Sequence, residues 1–469
     1  MLATISGMQN PTPAADTAES DNPYVAPRGA GGHAAASATR VPDTSIYRVV
    51  LASLVGTTIE WYDFFLYGTA AALVFDKLFF PELDPVTGRI ASFATYTVGF
   101  FARPVGGVVF GHFGDRLGRK SMLVTTLMLM GLATFLIGVL PTYSQIGVAA
   151  PVLLIALRFV QGFGVGGEWG GAVLMVVEHG HRGRRGLYAS WVQAGVPAGM
   201  LLATAVFALF NQLPEAAFMS WGWRVPFLLG IALLAVGMFI RLQVLESPLF
   251  EKVRVQKQQA GIPFFEAIRR HPGNILLAMG ARMAENACFY IFTVFVLSYA
   301  TDRLEVDRST ILNGVLLASG IEFFVIPAFG MLSDRVGRRP VFFGGAIALA
   351  LYAFPFFWLF DTANIALMVL AILIGLLIHA AMYAPLAAFL SELFGTEVRY
   401  TGASIGYQLA SPLAGGLAPL VCVKLLEWSD GRPWPVSLYL IGFAAVTLVS
   451  VWLAAETHRS HLGEHAEVD

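Results

Sequence analysis

Apolar residues fall along this chain in long blocks separated by short polar connections. Twelve blocks are long enough to cross a bilayer, at 48–76, 91–111, 121–140, 151–178, 187–210, 223–243, 273–300, 309–332, 341–360, 364–390, 401–426 and 435–455. Each supplies the roughly 20 residues needed to cover a hydrocarbon core about 30 Å thick. Most blocks are apolar all round, whereas the surface helix of a soluble protein keeps a charged face. They do not alternate polar and apolar over about 9–11 residues, as barrel strands do. The pattern predicts an all-α membrane protein with twelve transmembrane helices.

Composition agrees with the pattern. Of 469 residues, 56% are hydrophobic and 13% charged, far from the roughly 25% charged of an ordinary soluble domain. The net charge of −1 gives no support for nucleic-acid binding. What matters is where the basic residues lie. Connections on one side carry Arg116, Arg119, Lys120, Arg182, Arg184, Arg185, Lys252, Arg254, Lys257, Arg269, Arg270, Arg335, Arg338, Arg339 and Arg399. The other side carries Lys77, Arg89, Arg224, Arg303, Arg308, Lys424 and Arg432. Cytoplasmic connections are the basic ones, so both termini are expected in the cytoplasm.

The expected organisation is a disordered tail at 1–45, a six-helix bundle at 46–243, a cytoplasmic linker at 244–272, a second six-helix bundle at 273–455 and a short tail at 456–469. The first segment is rich in Ala, Gly, Pro, Ser and Thr and has no apolar core. No apolar segment follows a basic start there, so no cleavable signal peptide is expected. Cys288 and Cys422 both fall within apolar blocks, which argues against a disulfide framework.

The two bundles repeat each other. GHFGDRLGRK at 111–120 matches GMLSDRVGRR at 330–339, each directly after the second helix of its bundle. Glu178 and Arg185 bracket the exit from the fourth block as Glu392 and Arg399 bracket the exit from the tenth. Glu246-Ser247 and Glu456-Thr457 follow the sixth and twelfth. Three matches in the same order indicate a duplicated bundle, which places a binding site at the interface between repeats, near the bilayer midplane.

The loop pattern G-x-x-x-D-[RK]-x-G-R-[RK] resembles that of the major facilitator superfamily. EWYDF (60–64), FFARPVGG (100–107), RFVQGFGVGGEWGG (158–171), SWGWRVPF (220–227), LESPLF (245–250) and SDRVGRRP (333–340) are similar to its metabolite–proton symporter branch, over nearly all of 46–457. That branch includes carriers of shikimate, α-ketoglutarate, citrate and other organic acids, and of proline and betaines. QGFGVGGEWGGA followed by VVEH and RRGLYAS looks most like the organic-acid carriers. The resemblance implies a secondary transporter in a bacterial inner membrane. It would be driven by the proton gradient with no cofactor or metal, and would take up a small organic acid by alternating access as a single subunit.

Charges inside the spans are the candidate chemistry, because each costs about 2.5–3.5 kcal/mol on insertion scales unless it has a partner or a task. Glu60, Asp63, Arg103, Arg158, Glu168, Arg282, Glu285 and Glu322 lie well inside. Glu60 and Asp63, three apart on one helix, resist ionising together and so favour a transferable proton; the other reading is a static salt bridge. Asp63 and Arg158 have similar depth, so a direct pair would connect proton to substrate carboxylate. Glu168 lies near the depth of Glu60 and joins them as a candidate for proton coupling. Arg158 and Gln161, with Arg282, Glu285 and Asn286, are candidate substrate contacts. Tyr67, Tyr96, Trp169 and Tyr290 are expected in or near the cavity with them, as is Trp61. An Arg282–Glu322 pair is expected, either as a static bridge or with a substrate role. His379 stands alone in its block and reads mainly as hydrogen-bonded packing.

The glycines at 162–171 read as a surface for close helix packing rather than a phosphate loop. Asp115 can face a helix N-terminus, while Arg116 and Arg119 can pair with acids such as Glu178. The resemblance implies that this cluster and its repeat, Asp334, Arg335 and Arg338, latch the two bundles on the cytoplasmic side. Arg103, nearer that side, reads as structural or gating. Asp115 and Asp334 recur between bundles but Glu60, Asp63 and Arg158 do not, which assigns proton coupling to the first bundle and substrate shape to the second. The runner-up readings are an osmolyte carrier and an exporter. No nucleophile–base set or metal cluster suggests an enzyme.

Overall fold

The computed structural model describes residues 45–247, 249–251 and 263–459. The expected N-terminal tail, the linker residues Lys252, Arg254 and Lys257, and the chain after Arg459 lie outside the described residues. Among the described residues, twelve helices are long and apolar enough to span a bilayer. In chain order they are α1 (Ile46–Leu73), α2 (Ile90–Leu117), α3 (Arg119–Val139), α4 (Ala149–His179), α5 (Arg185–Phe210) and α6 (Arg224–Leu242). The second set is α7 (Pro272–Leu304), α8 (Arg308–Val336), α9 (Arg338–Phe360), α10 (Ile365–Glu392), α11 (Arg399–Trp428) and α12 (Trp434–Leu453). The linker also carries a short amphipathic helix, Pro263–Arg270, held by an Arg270–Glu266 ion pair. Cys288 and Cys422 are buried and free.

Within the first bundle α1 packs on α5, and α4 on α2 and α3. In the second, α7 packs on α11 and α12, and α10 on α8 and α9. The bundles meet along two equivalent seams, α5 against α8 and α2 against α11. Burial separates inner from outer helices. The α7 span is 83% buried and the α6 span 33%, so α7 lines the centre while α6 faces lipid with Leu229, Ile231, Val236 and Phe239 exposed. Ile347, Leu351 and Trp358 on α9, and Val446, Val449 and Trp452 on α12, do the same. Two of the central helices loosen mid-span into π-helical turns, Ile291–Phe295 in α7 and Ser411–Gly416 in α11. Such turns open the backbone ladder at positions that commonly serve function.

The glycine run of α4 packs helices at backbone distance. A Cβ on Gly162 would overlap Gly99 of α2, one on Gly166 would overlap the Arg103 carbonyl, and one on Gly106 would overlap the Phe163 carbonyl. Gly170 leaves the same kind of room for Tyr400 and Ser404 of α11.

Each repeated motif resolves into the same structure twice. α2 and α8 end at Gly118 (φ 110°) and Gly337 (φ 105°), both in the positive-φ region that side chains avoid. The chain then turns directly into α3 or α9, leaving N–H groups without helical acceptors. Glu246 accepts from the Arg119 and Lys120 N–H groups at 3.1 Å each, and Glu456 from Arg338 and Arg339 at 2.9 Å each. Burial acts to raise the Glu456 carboxyl, but the backbone N–H groups of Arg338, Arg339 and His458 outweigh it and hold it below its ordinary value. This tie is therefore complete near neutrality and is lost only as acid protonates the carboxylate through that lowered value.

Gly337→Ala is expected to cost about 1–3 kcal/mol from backbone strain, since its Cβ would also meet Glu456. Gly344→Ala, where nothing lies within 4 Å of the added carbon, serves as the control. Thermal unfolding in detergent should place the first several degrees below wild type and the second alongside it; equal curves would contradict the strain at the turn.

Candidate transport site

On the basic face the bundles are tied by four reciprocal contacts. Asp115, at the end of α2, accepts from the N–H groups of Tyr400 (3.2 Å) and Thr401 (2.9 Å), the first turn of α11. Asp334, at the end of α8, accepts from Gly186 and Leu187 at 2.8 Å each, the first turn of α5. Each carboxylate thus serves the unpaired donors and positive end of a helix in the other bundle. The repeated Glu and Arg exchange partners in the same way: Glu178 pairs with Arg399 at 3.2 Å and Glu392 with Arg185 at 3.9 Å.

Arg119 joins Asp115 (3.4 Å) to Glu178 (3.5 Å), and Arg338 joins Asp334 (2.7 Å) to Glu392 (3.2 Å). Ser247 and Thr457 complete the clusters by donating to Glu178 and Glu392. Arg116 and Arg335 are exposed, whereas Arg119 and Arg338 lie buried within the clusters. In this state the basic face is closed.

The centre holds an aromatic box with two arginines in it. Arg158 of α4 lies over Tyr67 (4.4 Å), Tyr96 (4.9 Å) and Phe64 (5.0 Å). Arg103 of α2 lies over Phe64 (4.6 Å), Phe100 (4.9 Å) and Trp61 (5.5 Å). Both are 2% exposed. Among the described residues neither forms an ion pair, and Nε and Nη2 of each lack a hydrogen-bond acceptor. Arg103 therefore belongs to the centre, where the sequence reading had placed it nearer the gate. Room for Arg158 comes from Gly99, whose Cβ would stand 2.7 Å from Nε. Tyr67 donates to Thr95 at 2.6 Å. Tyr290 reaches the box from α7 through Phe100 (5.5 Å), with its hydroxyl buried and unpartnered.

The expected direct Asp63–Arg158 pair does not form. Glu60, Phe64 and Tyr67, at i, i+4 and i+7, share the stripe that faces the box, and Asp63 lies about 100° round the helix from Phe64. It sits beside the Thr134 hydroxyl of α3 and Gly230 of α6, and forms no ion pair among the described residues. A relay replaces the pair: Arg158 donates to Gln161 (3.3 Å), and Gln161 donates to the Thr134 hydroxyl (2.7 Å) next to Asp63. Glu60, 3% exposed, forms no ion pair among the described residues although Arg103, Arg241 and Arg282 act on it.

Glu168, by contrast, is held fast. Arg241 of α6 grips it bidentately, with one arm at 2.8 Å, and Thr126 donates to it at 3.1 Å. Arg241 lies two residues inside the end of its apolar block, where a basic residue reads as an interfacial anchor rather than as a buried partner.

In the second bundle the expected Arg282–Glu322 pair is replaced by two others. Arg282 pairs with Glu285 on its own helix at 2.9 Å, and Glu322 meets His379 Nδ1 at 2.5 Å. His379 is thus no isolated packing residue. Asn286 donates to the Ala410 carbonyl at 3.5 Å and lies beside Gly415. Trp169 stacks on Tyr407 of α11 with centroids 3.6 Å apart, and donates to Gln193 at 2.7 Å. It contributes to the seam between bundles.

Removing one latch charge should loosen the basic face. Each hydrogen bond to a charged group is worth about 1.5–3 kcal/mol. In a background without Cys288 and Cys422, a cysteine placed at the buried Ser404 should react with a membrane-impermeant maleimide from the basic face roughly tenfold faster after Asp115→Asn. Adding Asp334→Asn should raise the rate again. Unchanged rates would show that these bonds do not hold the face shut.

Comparison with known proteins agrees with the architecture. The sequence pattern of the Major Facilitator Superfamily matches residues 53–419 and 315–467. The shikimate transporter of Escherichia coli (strain K12) is 42% identical over 417 residues, covering 88% of this chain and 95% of that one. The inner membrane metabolite transport protein YhjE of the same organism is 41% identical, covering 90% and 97%, and its proline/betaine transporter 34%, covering 89% and 85%. Among solved structures, the proton:xylose symporter XylE bound to 6-bromo-6-deoxy-D-glucose superposes with a TM-score of 0.70 at 18% identity, covering 89% of this chain and 98% of that one. Its inward open conformation from E. coli gives 0.58 at 16% identity, covering 88% and 97%. With twelve spans in two pseudo-symmetric bundles, matching motifs throughout and relatives that carry solutes rather than transform them, the chain belongs to the Major Facilitator Superfamily and is a multi-pass membrane transporter.

Proposed function

We propose that the protein takes up a small organic acid together with protons, across a bacterial inner membrane whose cytoplasmic side is the basic face. The observation that carries this reading is the pair of buried guanidinium groups, Arg103 and Arg158, on a shared Phe64 with no carboxylate bonded to either. Two such cations in a low-dielectric site repel each other, and Nε and Nη2 of each lack an acceptor among the described residues. A substrate carboxylate supplies both the charge and the planar acceptor geometry that guanidinium groups match. The shikimate transporter is a relative of this chain.

A betaine or proline substrate is less well served. Recognition of a quaternary ammonium uses open aromatic faces, and here Arg103 and Arg158 already cover Trp61, Phe64, Tyr67, Tyr96 and Phe100. Asp63 carries the coupling proton in this reading. A substrate anion on Arg158 alters the Gln161–Thr134 relay beside Asp63, so substrate and proton sense each other across two side chains without direct contact. Glu60, on the face of α1 that looks into the box, is the second acid. Glu168, gripped by Arg241, holds α4 to α6.

Membrane vesicles offered labelled shikimate, other organic acids and glycine betaine, with and without a proton gradient acid outside, test the proposal. An organic acid should accumulate only with the gradient. Accumulation of betaine in place of every acid, or of an acid without gradient dependence, sinks it. Arg158→Gln should weaken substrate binding by about 2–5 kcal/mol, roughly 30-fold or more. Asp63→Asn should abolish accumulation while sparing exchange of substrate for substrate; intact accumulation would remove Asp63 from coupling.

A further inference from the structure

The second bundle contains a buried group of ionisable side chains that the account above does not use. His379 of α10 stands between two carboxylates: Nδ1 is 2.5 Å from Glu322 Oε1 of α8, and Nε2 is 3.4 Å from Glu285 Oε2 of α7. The other oxygen of Glu285 is 2.9 Å from Arg282 Nη1. Relative exposures are 2% for His379, Glu285 and Arg282 and 0% for Glu322.

A neutral imidazole has one N–H, so it can donate to only one of these carboxylates and would turn a lone pair towards the other. With both carboxylates ionised, a neutral histidine would also leave one uncompensated negative charge in the membrane interior. One bound proton removes both problems. On His379 it lets both ring nitrogens donate and brings Arg282, Glu285, Glu322 and His379 to zero net charge.

The remaining titratable groups near the cluster supply no cation. They are Cys288 and Tyr290 on α7, Tyr383 on α10, Tyr407 on α11 and, across the seam, Glu60 on α1, a further acid within reach of Arg282. Of the other helices against α10, α5 and α9 carry their basic residues, Arg185, Arg338 and Arg339, at the basic face, and Tyr352 of α9 is bonded to the Ala371 carbonyl.

The cluster also reaches the seam between bundles. Arg282 lies 3.2 Å from the centroid of the Tyr407 ring, and Trp169 of the first bundle stacks on the same ring at 3.6 Å. Both cannot occupy one face, so Tyr407 is sandwiched between a cation of one bundle and an indole of the other.

We propose that Glu322, His379 and Glu285 form a second proton-carrying site of the transport cycle, with the proton on His379 while the basic face is closed, and that Arg282, Tyr407 and Trp169 connect it to the seam. Loss of that proton leaves Glu285 and Glu322 to compete for Arg282, which draws the guanidinium away from Tyr407 and disturbs the stack that spans the bundles. The proposal rests on the proton-coupled reading of the previous section and extends it to a second proton per substrate.

The test combines a spectroscopic readout that needs no substrate with a transport one. Full-length protein with ¹⁵N-labelled histidine, in lipid nanodiscs at pH 7.5, where a free histidine is mostly neutral, should show an imidazolium signal that His379→Gln removes. Glu322→Gln is close to isosteric and takes away the charge that demands the proton, so it should return His379 to the neutral form. A neutral His379 in wild type, or an imidazolium unaffected by Glu322→Gln, overturns the site.

In vesicles with a gradient of one pH unit, Glu322→Gln should lower the steady accumulation ratio of the transported acid about tenfold, the weight of one proton, while substrate exchange continues. A wild-type ratio in that variant overturns the second proton. Failure of wild type to show any gradient-driven uptake would instead sink the proton-coupled reading, and the imidazolium signal still decides the site.

Discussion

Asp115 and Asp334 each accept two backbone N–H bonds from the first turn of a helix in the opposite bundle. A helix end leaves its first donors unpaired, and a buried carboxylate needs donors, so one contact satisfies both. Much of the arrangement at the centre follows from that bond. It brings α11 against α4, where glycines let Tyr400 and Ser404 approach the backbone, and so sets Tyr407 against Trp169. It also brings α5 against α8. The exchanged pairs Glu178–Arg399 and Glu392–Arg185 repeat the logic with side chains.

At the centre the electrostatics differ between bundles. Among the described residues, the first leaves Arg103, Arg158 and Asp63 without ion pairs and the two guanidinium groups with unpaired donors. The second places Arg282, Glu285, Glu322 and His379 in mutual contact. An excess of cation on one side and a self-contained cluster on the other suit different tasks: attracting an anion, and holding a proton whose departure is felt elsewhere. Arg241 and Glu168 illustrate a third use of buried charge, in which a bidentate pair fixes two helices and takes no visible part in binding.

Much of this was legible along the chain. Block length and uniform apolarity gave twelve spans to within a few residues, because lipid imposes the same demand on every span. The repeated loops pointed to machinery shared by the bundles, although not to the exchange of Glu and Arg partners between them. Depth in the membrane was legible from residue counts; azimuth was not. Asp63 and Arg158 match in depth, yet Asp63 faces α3 and α6 while Arg158 faces Phe64, Tyr67 and Tyr96. His379 looked solitary because its partners lie on two other helices, which no local spacing records. Arg241 escaped because a residue near the end of an apolar block reads as an interfacial anchor.

The doubled construction of the basic face has a consequence for how such a protein can change over evolutionary time. Its closing contacts use main-chain donors and a few acids and arginines at the ends of helices, while Phe64, Arg103, Arg158 and the groups around them lie in the interior. Substitutions in that interior can alter the cargo without touching the hardware that moves it. One chassis can therefore be re-fitted for chemically different solutes, as the spread from a shikimate carrier to a proline/betaine carrier among its relatives illustrates.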